Sequence, residues 1–234
     1  MQRAAVGSGE RSEWLEWWRA YLRHRYGILF YSLLLTLIAI PIVKTFGDST
    51  ELVFLQILVG VNLLAAVLPL ENRKGHWIVP AILLVAILLR VVSLKADHVT
   101  LSSASLVLWT VIALYAVFGA LRSVLRAPAI TPEHLYAALS AYLLSGLFLG
   151  VLYWAIEEAM PGSLLVTGPT ASQPFKLTQG VYFSFITLAT VGYGDIVPGN
   201  DVVRGLAVVE AIAGQFYLAV MIARLVSLYM RERR

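Results

Sequence analysis

A glycine-rich run carries the clearest chemistry in the sequence, and its residues are Thr190, Val191, Gly192, Tyr193, Gly194 and Asp195. Backbone carbonyls can replace the water shell of a cation only when successive C=O groups point towards one axis. Alternate residues must then adopt conformations that a Cβ disfavours, and Gly192 and Gly194 supply that freedom. Thr190 adds its hydroxyl as the innermost ligand, while Val191 and Tyr193 point outwards and brace the loop. The run therefore predicts a site in which carbonyl oxygens bind a dehydrated cation.

The same run indicates which cation binds and how many chains are needed. A ring of carboxylates is expected around a divalent ion or sodium, and no acid lies between Thr190 and Gly194. Potassium is therefore favoured over calcium. One chain contributes one such segment and cannot enclose an ion, so a closed ring implies four copies around a fourfold axis. The sequence has no cysteine, which excludes a thiolate metal site and a disulfide.

The segment before this run must hold it in position. Residues 176–190 are apolar but too short to cross a bilayer, which takes about 20 helical residues. We predict a half-membrane helix followed by re-entrant backbone. The stretch from Glu157 to Asp201 that contains it is much longer than an ordinary connection of about 4–6 residues, which indicates a functional loop. The C-terminus of the half-helix would direct about half a negative charge towards an entering ion.

The run resembles the selectivity filter of potassium channels, whose sequence is Thr-Val-Gly-Tyr-Gly. The resemblance extends over residues 132–230, and residues 209–220 are similar to the pore-lining helix of bacterial potassium channels. It implies a homotetramer that binds K⁺ at residues 190–194. In that family a glycine in the middle of the pore-lining helix often serves as a gating hinge, which makes Gly214 a hinge candidate. Gly214 could equally serve close helix packing.

Glu210 is the carboxylate that we place inside a predicted membrane span. An acid at that depth is costly and by default indicates a functional role. It could line a water-filled cavity, or it could bond the half-helix from behind, for instance at Thr187 or Ser184. We favour the second interpretation.

Aromatic residues of the half-helix are expected to support the filter. We predict that Tyr182, Phe183 and Phe185 form a cuff around it, and that Tyr182 bonds Asp195. Some channels of this family place a glutamate in the half-helix to pair with the filter aspartate, and here the aligned residue is Ile186. Slow filter inactivation through such a carboxyl pair is therefore not expected.

The composition is that of a membrane protein. Hydrophobic residues make up 59% of the chain and charged residues only 14%, with a mean hydropathy of +0.77, whereas soluble domains carry about 25% charged residues. The fold class is therefore an all-α membrane protein. Hydropathy predicts six transmembrane helices, near residues 26–46, 51–70, 77–95, 103–121, 134–158 and 203–229.

The charge distribution predicts the orientation of these six helices. Most Lys and Arg residues fall in the N-terminal segment, the second and fourth loops and the C-terminus. By the positive-inside rule, the N and C termini are both cytoplasmic. Acidic residues prevail on the opposite side, where they would raise the local cation concentration.

The chain divides into three predicted parts. Residues 1–25 form a cytoplasmic interfacial amphipathic helix, although its aromatic stripe could instead pack on the protein's own cytoplasmic face. That stripe consists of Trp14, Trp17, Trp18 and Tyr21. Residues 26–126 form a four-helix, voltage-sensor-like accessory bundle. The sequence Thr131-Pro132 predicts a helix start, and residues 127–234 form a two-helix pore unit with a re-entrant pore helix and filter.

A six-span chain with one filter resembles the voltage-gated potassium channel superfamily, whose fourth span carries Arg or Lys at every third position. The corresponding span here, 103–121, has no basic residue. Moving one charge through the membrane field yields about 2.3 kcal/mol per 100 mV, so a span without charges gives no voltage lever. We expect a channel without steep voltage dependence.

These observations predict a homotetrameric, potassium-selective channel in a prokaryotic plasma membrane, with K⁺ as permeant ligand and no cofactor. Membrane lipids and an unidentified regulatory protein or ligand are expected partners, and nucleic acid is not, because the basic residues form no single patch. No acid–base pair, nucleophile constellation or phosphate loop suggests an enzyme. We expect no signal peptide and no cytoplasmic regulatory domain. The alternatives are a membrane subunit of a potassium uptake transporter and a non-conducting regulatory subunit.

Overall fold

A computed structural model describes residues 6–43, 48–67, 85–86, 99–126, 131–168 and 172–232. Its helices and strands with described bounds are, in chain order, α1 (Val6–Val43), α2 (Asp48–Val67), α3 (Val99–Arg126), α4 (Pro132–Ala159), β1 (Leu164–Val166), α5 (Leu177–Leu188), β2 (Ile196–Pro198) and α6 (Asp201–Glu232). The described chain is mostly helical, as the hydropathy predicts. The two short strands are an addition to the predicted all-α fold.

Apolar helices coincide with most of the predicted spans. Four stretches within the described residues are long and apolar enough to cross a membrane: His24–Ile42, Ser105–Arg126, Pro132–Ala159 and Asp201–Arg224. They match the first, fourth, fifth and sixth predicted spans. Helix α2 matches the second, although its apolar part, Phe54–Val67, is shorter. The third predicted span, 77–95, lies almost entirely outside the described residues.

Helix α1 combines the predicted interfacial helix and the first predicted span. Its backbone leaves helical geometry at His24, with φ −115° and ψ 17°, close to the predicted boundary after residue 25. The N–H of Tyr26 donates to Glu133 Oε2 at 3.1 Å, and His24 Nδ1 lies 3.9 Å from Glu133 Oε1. Glu133 thus accepts a backbone donor where α1 bends. The side chains of the predicted aromatic stripe lie outside the described part of the chain.

Helix α4 begins where the sequence predicts a helix start. Pro132 is its first residue, and Thr131 precedes it in an extended conformation with φ −113° and ψ 161°. His134 Nδ1 lies 2.8 Å from the Thr131 hydroxyl oxygen and accepts the Thr131 N–H at 3.2 Å. These contacts close the first turn of the helix.

Glycines allow α4 and α5 to pack backbone against backbone. A Cβ added at Gly150 would overlap the backbone of Val181, and one added at Gly146 would lie 2.6 Å from the Phe185 ring. On the facing helix, a Cβ added at Gly180 would lie 2.5 Å from the Gly150 carbonyl oxygen. Small residues at such crossings are typical of packed membrane helices. They seat α5 directly on the buried face of α4.

The accessory helices are joined by neutral polar side chains. Ser32 Oγ of α1 donates to Asn62 Oδ1 of α2 at 2.7 Å, and Asn62 Nδ2 donates to Thr36 Oγ1 at 2.6 Å. On α3, Thr110 Oγ1 donates to the Phe148 carbonyl of α4 at 3.3 Å. Hydrogen bonds of this kind hold helices together in an apolar medium.

Strands β1 and β2 enclose the glycine-rich segment. They pair antiparallel, with Leu164 opposite Pro198 and Val166 opposite Ile196. β1 lies before α5 and β2 follows the glycine-rich run. The pairing therefore joins the two ends of the segment that contains α5 and the run. Strands of three residues are too short to produce a recognisable alternation in the sequence.

Candidate functional site

The glycine-rich run directly follows α5 and is anchored to its last turn. The N–H of Thr190 donates to the Thr187 carbonyl at 2.9 Å. The N–H groups of Val191 and Gly192 both donate to the Ile186 carbonyl, at 2.8 and 3.2 Å. The end of the half-helix therefore fixes the direction in which the run departs.

The backbone of the run alternates between two conformational regions. Thr190, Gly192 and Gly194 have φ values of 56°, 55° and 80°. The sequence predicts this freedom for the two glycines, and their positive φ agrees with it. Thr190 is the one non-glycine residue with positive φ among the described residues, and for a β-branched side chain that conformation is an outlier. Backbone strain of this kind concentrates at functional sites.

Val191 and Tyr193 are exposed in the single chain, with relative exposures of 49% and 72%. The neighbouring helix α6 also exposes large apolar side chains, including Val208, Val209, Ile212 and Phe216. On a membrane-spanning helix, such side chains face lipid tails or another protein surface.

Asp195 is held from two directions. Tyr182 Oη donates to Asp195 Oδ2 at 2.8 Å, which is the contact expected from the sequence. The N–H and the hydroxyl of Thr167 both donate to the Asp195 carbonyl, at 2.8 and 3.1 Å. Sequence analysis missed Thr167, which reaches Asp195 only because β1 pairs with β2. The sequence contains no local signal for that pairing.

The three residues of the predicted aromatic cuff have different partners within the described chain, and the cuff stays a prediction. Phe183 packs edge to face on Tyr153 of α4, with ring centroids 4.8 Å apart, and Phe185 faces Gly146 of the same helix. Only Tyr182 reaches Asp195. Successive residues of a helix are about 100° apart around its axis, so Phe183 faces a different direction from Tyr182. Phe183 therefore supports the site from the α4 side.

Glu210 joins three helices. Its side chain is buried, with 2% exposure. Glu210 Oε2 accepts a hydrogen bond from Tyr153 Oη of α4 at 2.7 Å, and Oε1 accepts one from Ser184 Oγ of α5 at 2.5 Å. Of the two interpretations drawn from the sequence, this geometry agrees with the bond to the half-helix from behind. Sequence analysis missed Tyr153, which lies 57 residues away along the chain.

Gly214 lies against the end of the half-helix. A Cβ at this position would overlap the Leu188 carbonyl oxygen. Close packing is therefore a sufficient reason for a glycine here, and the hinge stays a prediction.

Helix α6 also lines a concave surface next to Thr190, which encloses a cavity of about 540 Å³. The residues that line it are Thr190, Ala211, Ile212, Gln215, Phe216 and Ala219. Gln215 is a further residue that sequence analysis missed. Its Nε2 lies 3.2 Å from the Thr190 hydroxyl oxygen.

Residues 137–231 match the Ion_trans_2 family model, described as "Ion channel". The matched region begins in α4, contains α5 and the glycine-rich run, and ends in α6. It includes Tyr153, Asp195, Glu210 and Gln215.

Curated relatives match parts of the same chain. A rice protein (Oryza sativa subsp. japonica) named "Two pore potassium channel c" is 32% identical over 87 residues, which are 37% of this chain and 18% of the relative. Rice "Two pore potassium channel a" is 28% identical over 89 residues, covering 38% and 23% of the two chains. A mouse (Mus musculus) protein named "Potassium channel, subfamily K, member 16" is 42% identical over 56 residues, covering 21% and 19%.

The chain spans about a fifth of the length of the curated relatives that it matches. No solved structure matches it. The family match confirms the prediction of an ion-channel domain rather than an enzyme over residues 137–231, and the relatives that match are named as potassium channels. Their plant and mammalian sources leave the prokaryotic origin a prediction.

Proposed function

We propose that this chain forms a homotetrameric, potassium-selective channel that conducts K⁺ passively across a prokaryotic plasma membrane. One observation carries the proposal. The run from Thr190 to Gly194 departs from a half-helix with positive φ at alternate residues, inside a region that matches an ion-channel domain. Alternation of this kind is the backbone requirement for a row of carbonyl ligands.

In this proposal the K⁺ ligands are the carbonyl oxygens of residues 190–194 together with the Thr190 hydroxyl. Helix α5 has 12 residues and is therefore about 18 Å long, roughly half a bilayer with its headgroups. Its C-terminal carbonyls contribute about half a negative charge near the start of the run. K⁺ is the permeant ligand, and the proposal requires no cofactor.

Four copies are proposed because a chain contributes one filter segment. The exposed side chains of Val191 and Tyr193 support an association of copies, and the closed ring around an ion sets their number at four. In a tetramer, neighbouring copies would cover large apolar side chains that a single chain exposes.

The accessory part is proposed to be a four-helix bundle over residues 26–126, with six spans in all and both termini cytoplasmic. Two positions in the apolar part of α1 support this arrangement. Tyr26 contacts Glu133 at the start of α4. Ile40, near the end of α1, lines a cavity of about 570 Å³ together with Asp195. The interfacial helix over residues 1–25, lipid contacts and an unidentified regulator belong to the same proposal.

Voltage dependence is proposed to be weak. The described α3 contains Arg122 and Arg126 at its end, and these positions are typical of positive-inside anchors. A membrane charge that moves in the field is needed for steep voltage gating.

The test is potassium against sodium flux from the purified full chain in liposomes, with Ba²⁺ as blocker. We expect fast K⁺ flux that Ba²⁺ blocks, from a species whose mass is that of a tetramer. Slow, saturable flux that needs a co-ion or a partner would replace the channel by a transporter subunit. A tetramer that passes no K⁺ with its filter intact would indicate a non-conducting subunit.

A further inference from the structure

Gln215 makes a direct contact between the helix α6 and the glycine-rich run. Its Nε2 lies 3.2 Å from Thr190 Oγ1, and both residues are exposed on the concave side of the chain. Thr190 is also the non-glycine residue held at φ 56°. The amide therefore contacts the one strained, β-branched residue of the run.

We infer that Gln215 is a positioning residue that orients the Thr190 hydroxyl as a ligand of the innermost ion site. The inference rests on the proposed function, because it assigns a task within the same ion path. It adds a determinant of ion affinity that lies on α6, outside the filter segment itself.

The chemistry of the hydroxyl explains why an amide is suited to this task. A threonine hydroxyl has one proton and two acceptor lone pairs. An N–H from Gln215 occupies one lone pair, leaves the other for a cation and turns the hydroxyl proton elsewhere. Without that bond, rotation about χ1 can exchange the hydroxyl and the methyl group of Thr190. A methyl group in place of the hydroxyl would remove a ligand from the site.

The surroundings hold the two residues of this contact in place. Of the described residues that line the concave surface, Thr190 and Gln215 are the polar ones, and the others are apolar. Two neighbouring contacts hold α6 against α5, namely Glu210 with Ser184 and Gly214 with the Leu188 carbonyl.

Fourfold assembly would repeat the contact around the axis. Four amides would then form a ring below the innermost site, each directed at one hydroxyl. The affinity for a divalent ion of about the size of K⁺ should respond most strongly, because a double charge depends more on each ligand. Ba²⁺ is therefore the probe.

The test measures half-blocking Ba²⁺ concentrations for liposome K⁺ flux. Gln215→Leu is expected to raise that concentration at least about 2- to 10-fold, because the range for loss of one hydrogen bond is a lower bound when four copies lose it together. Gln215→Asn keeps the amide but shortens the reach, so it should behave like Gln215→Leu. Wild-type behaviour of Gln215→Asn would show that polarity, and not positioning, matters. The matched control is Gln173→Leu, which removes an exposed amide of the outer segment and should leave the block unchanged.

A double-mutant cycle isolates the contact. Thr190→Val removes the hydroxyl and keeps the shape, so Gln215→Leu should add less than about 2-fold in that background. Independent, multiplicative effects would overturn the inference. For variants that do not conduct, calorimetric Ba²⁺ binding to the detergent-solubilised tetramer provides the same cycle.

The outcomes separate the two proposals. A wild-type protein with Ba²⁺-blocked K⁺ flux, and Gln215→Leu indistinguishable from it, would overturn the role of Gln215 alone. A wild-type protein that neither conducts K⁺ nor binds Ba²⁺ would overturn the proposed function and the inference with it.

Discussion

The proposed pore unit, α4 to α6, and the proposed accessory helices, α1 to α3, are held together by different means. In the pore unit, the buried carboxylate of Glu210 accepts bonds from Tyr153 and Ser184. In the accessory helices, a neutral cluster centred on Asn62 joins α1 to α2. A carboxylate within the membrane is costly, whereas neutral polar pairs are ordinary helix contacts. The comparison shows that the buried charge, whose desolvation is costly, lies next to the helix that positions the glycine-rich run.

Replacing a filter glycine should give the largest effect. Gly194 has φ 80°, and a left-handed conformation costs a residue with a Cβ about 1–2 kcal/mol, a cost repeated in each subunit. Gly194→Ala should reduce selective K⁺ flux in liposomes at least about tenfold. The control is Gly205→Ala on α6, where an added Cβ meets nothing within 4 Å. Equal flux from both variants would contradict the filter argument.

Adding a methyl group at a glycine where two helices cross should destabilise the protein more in α4 than in α2. Gly150→Ala forces a Cβ into the Val181 backbone, and overpacking of this kind costs about 1–3 kcal/mol. At Gly60 of α2, the nearest atom is a ring carbon of Trp109 at 3.3 Å, which a small shift can relieve. Thermal unfolding in detergent should show a clearly lower midpoint for Gly150→Ala than for Gly60→Ala. The reverse order would mean that the accessory helices are the more tightly packed region.

Removing the buried carboxylate should have a smaller effect on stability and a visible effect on the pore. Glu210→Gln replaces one carboxylate oxygen by an amide nitrogen that must donate to a hydroxyl oxygen, so two bonds to a charged acceptor become two neutral ones, at a cost of about 1 kcal/mol. We expect a reduced tetramer fraction in size-exclusion chromatography with light scattering, and reduced K⁺ flux. Glu210→Asp retains the charge with a shorter reach and serves as the comparison. Unchanged assembly and flux in Glu210→Gln would make the carboxylate incidental.

A substitution in the neutral cluster centred on Asn62 should give the smallest effect on stability. Asn62→Ala removes the contacts with Ser32 and Thr36, and such bonds between membrane helices contribute about 0.6 kcal/mol on average. The unfolding midpoint should fall slightly, with ion selectivity unchanged. Val61→Ala, at an exposed neighbouring position, controls for loss of side-chain volume. Lost selectivity in Asn62→Ala would show that the two regions are coupled.

Local signals account for what could be predicted from the sequence. Hydropathy, the Thr131-Pro132 helix start and the glycine pattern each act within a few residues, and each of these features has its counterpart in the structure. The partners that were missed come from long-range packing: Tyr153 meets Glu210 across 57 residues and Thr167 meets Asp195 across 28. The aromatic cuff stays a prediction, and within one chain Phe183 packs on Tyr153 of α4.

The pairing of β1 with β2 has an entropic consequence for the filter. Because Val166 lies opposite Ile196, the half-helix and the filter belong to a closed loop rather than to a free tether. Lengthening such a loop is cheap, since each doubling costs only about 0.6 kcal/mol. A slip of one residue in the register is not cheap, because it turns every side chain of the strand to the opposite face. The outer segment can therefore vary in length while Asp195, next to β2, keeps its orientation.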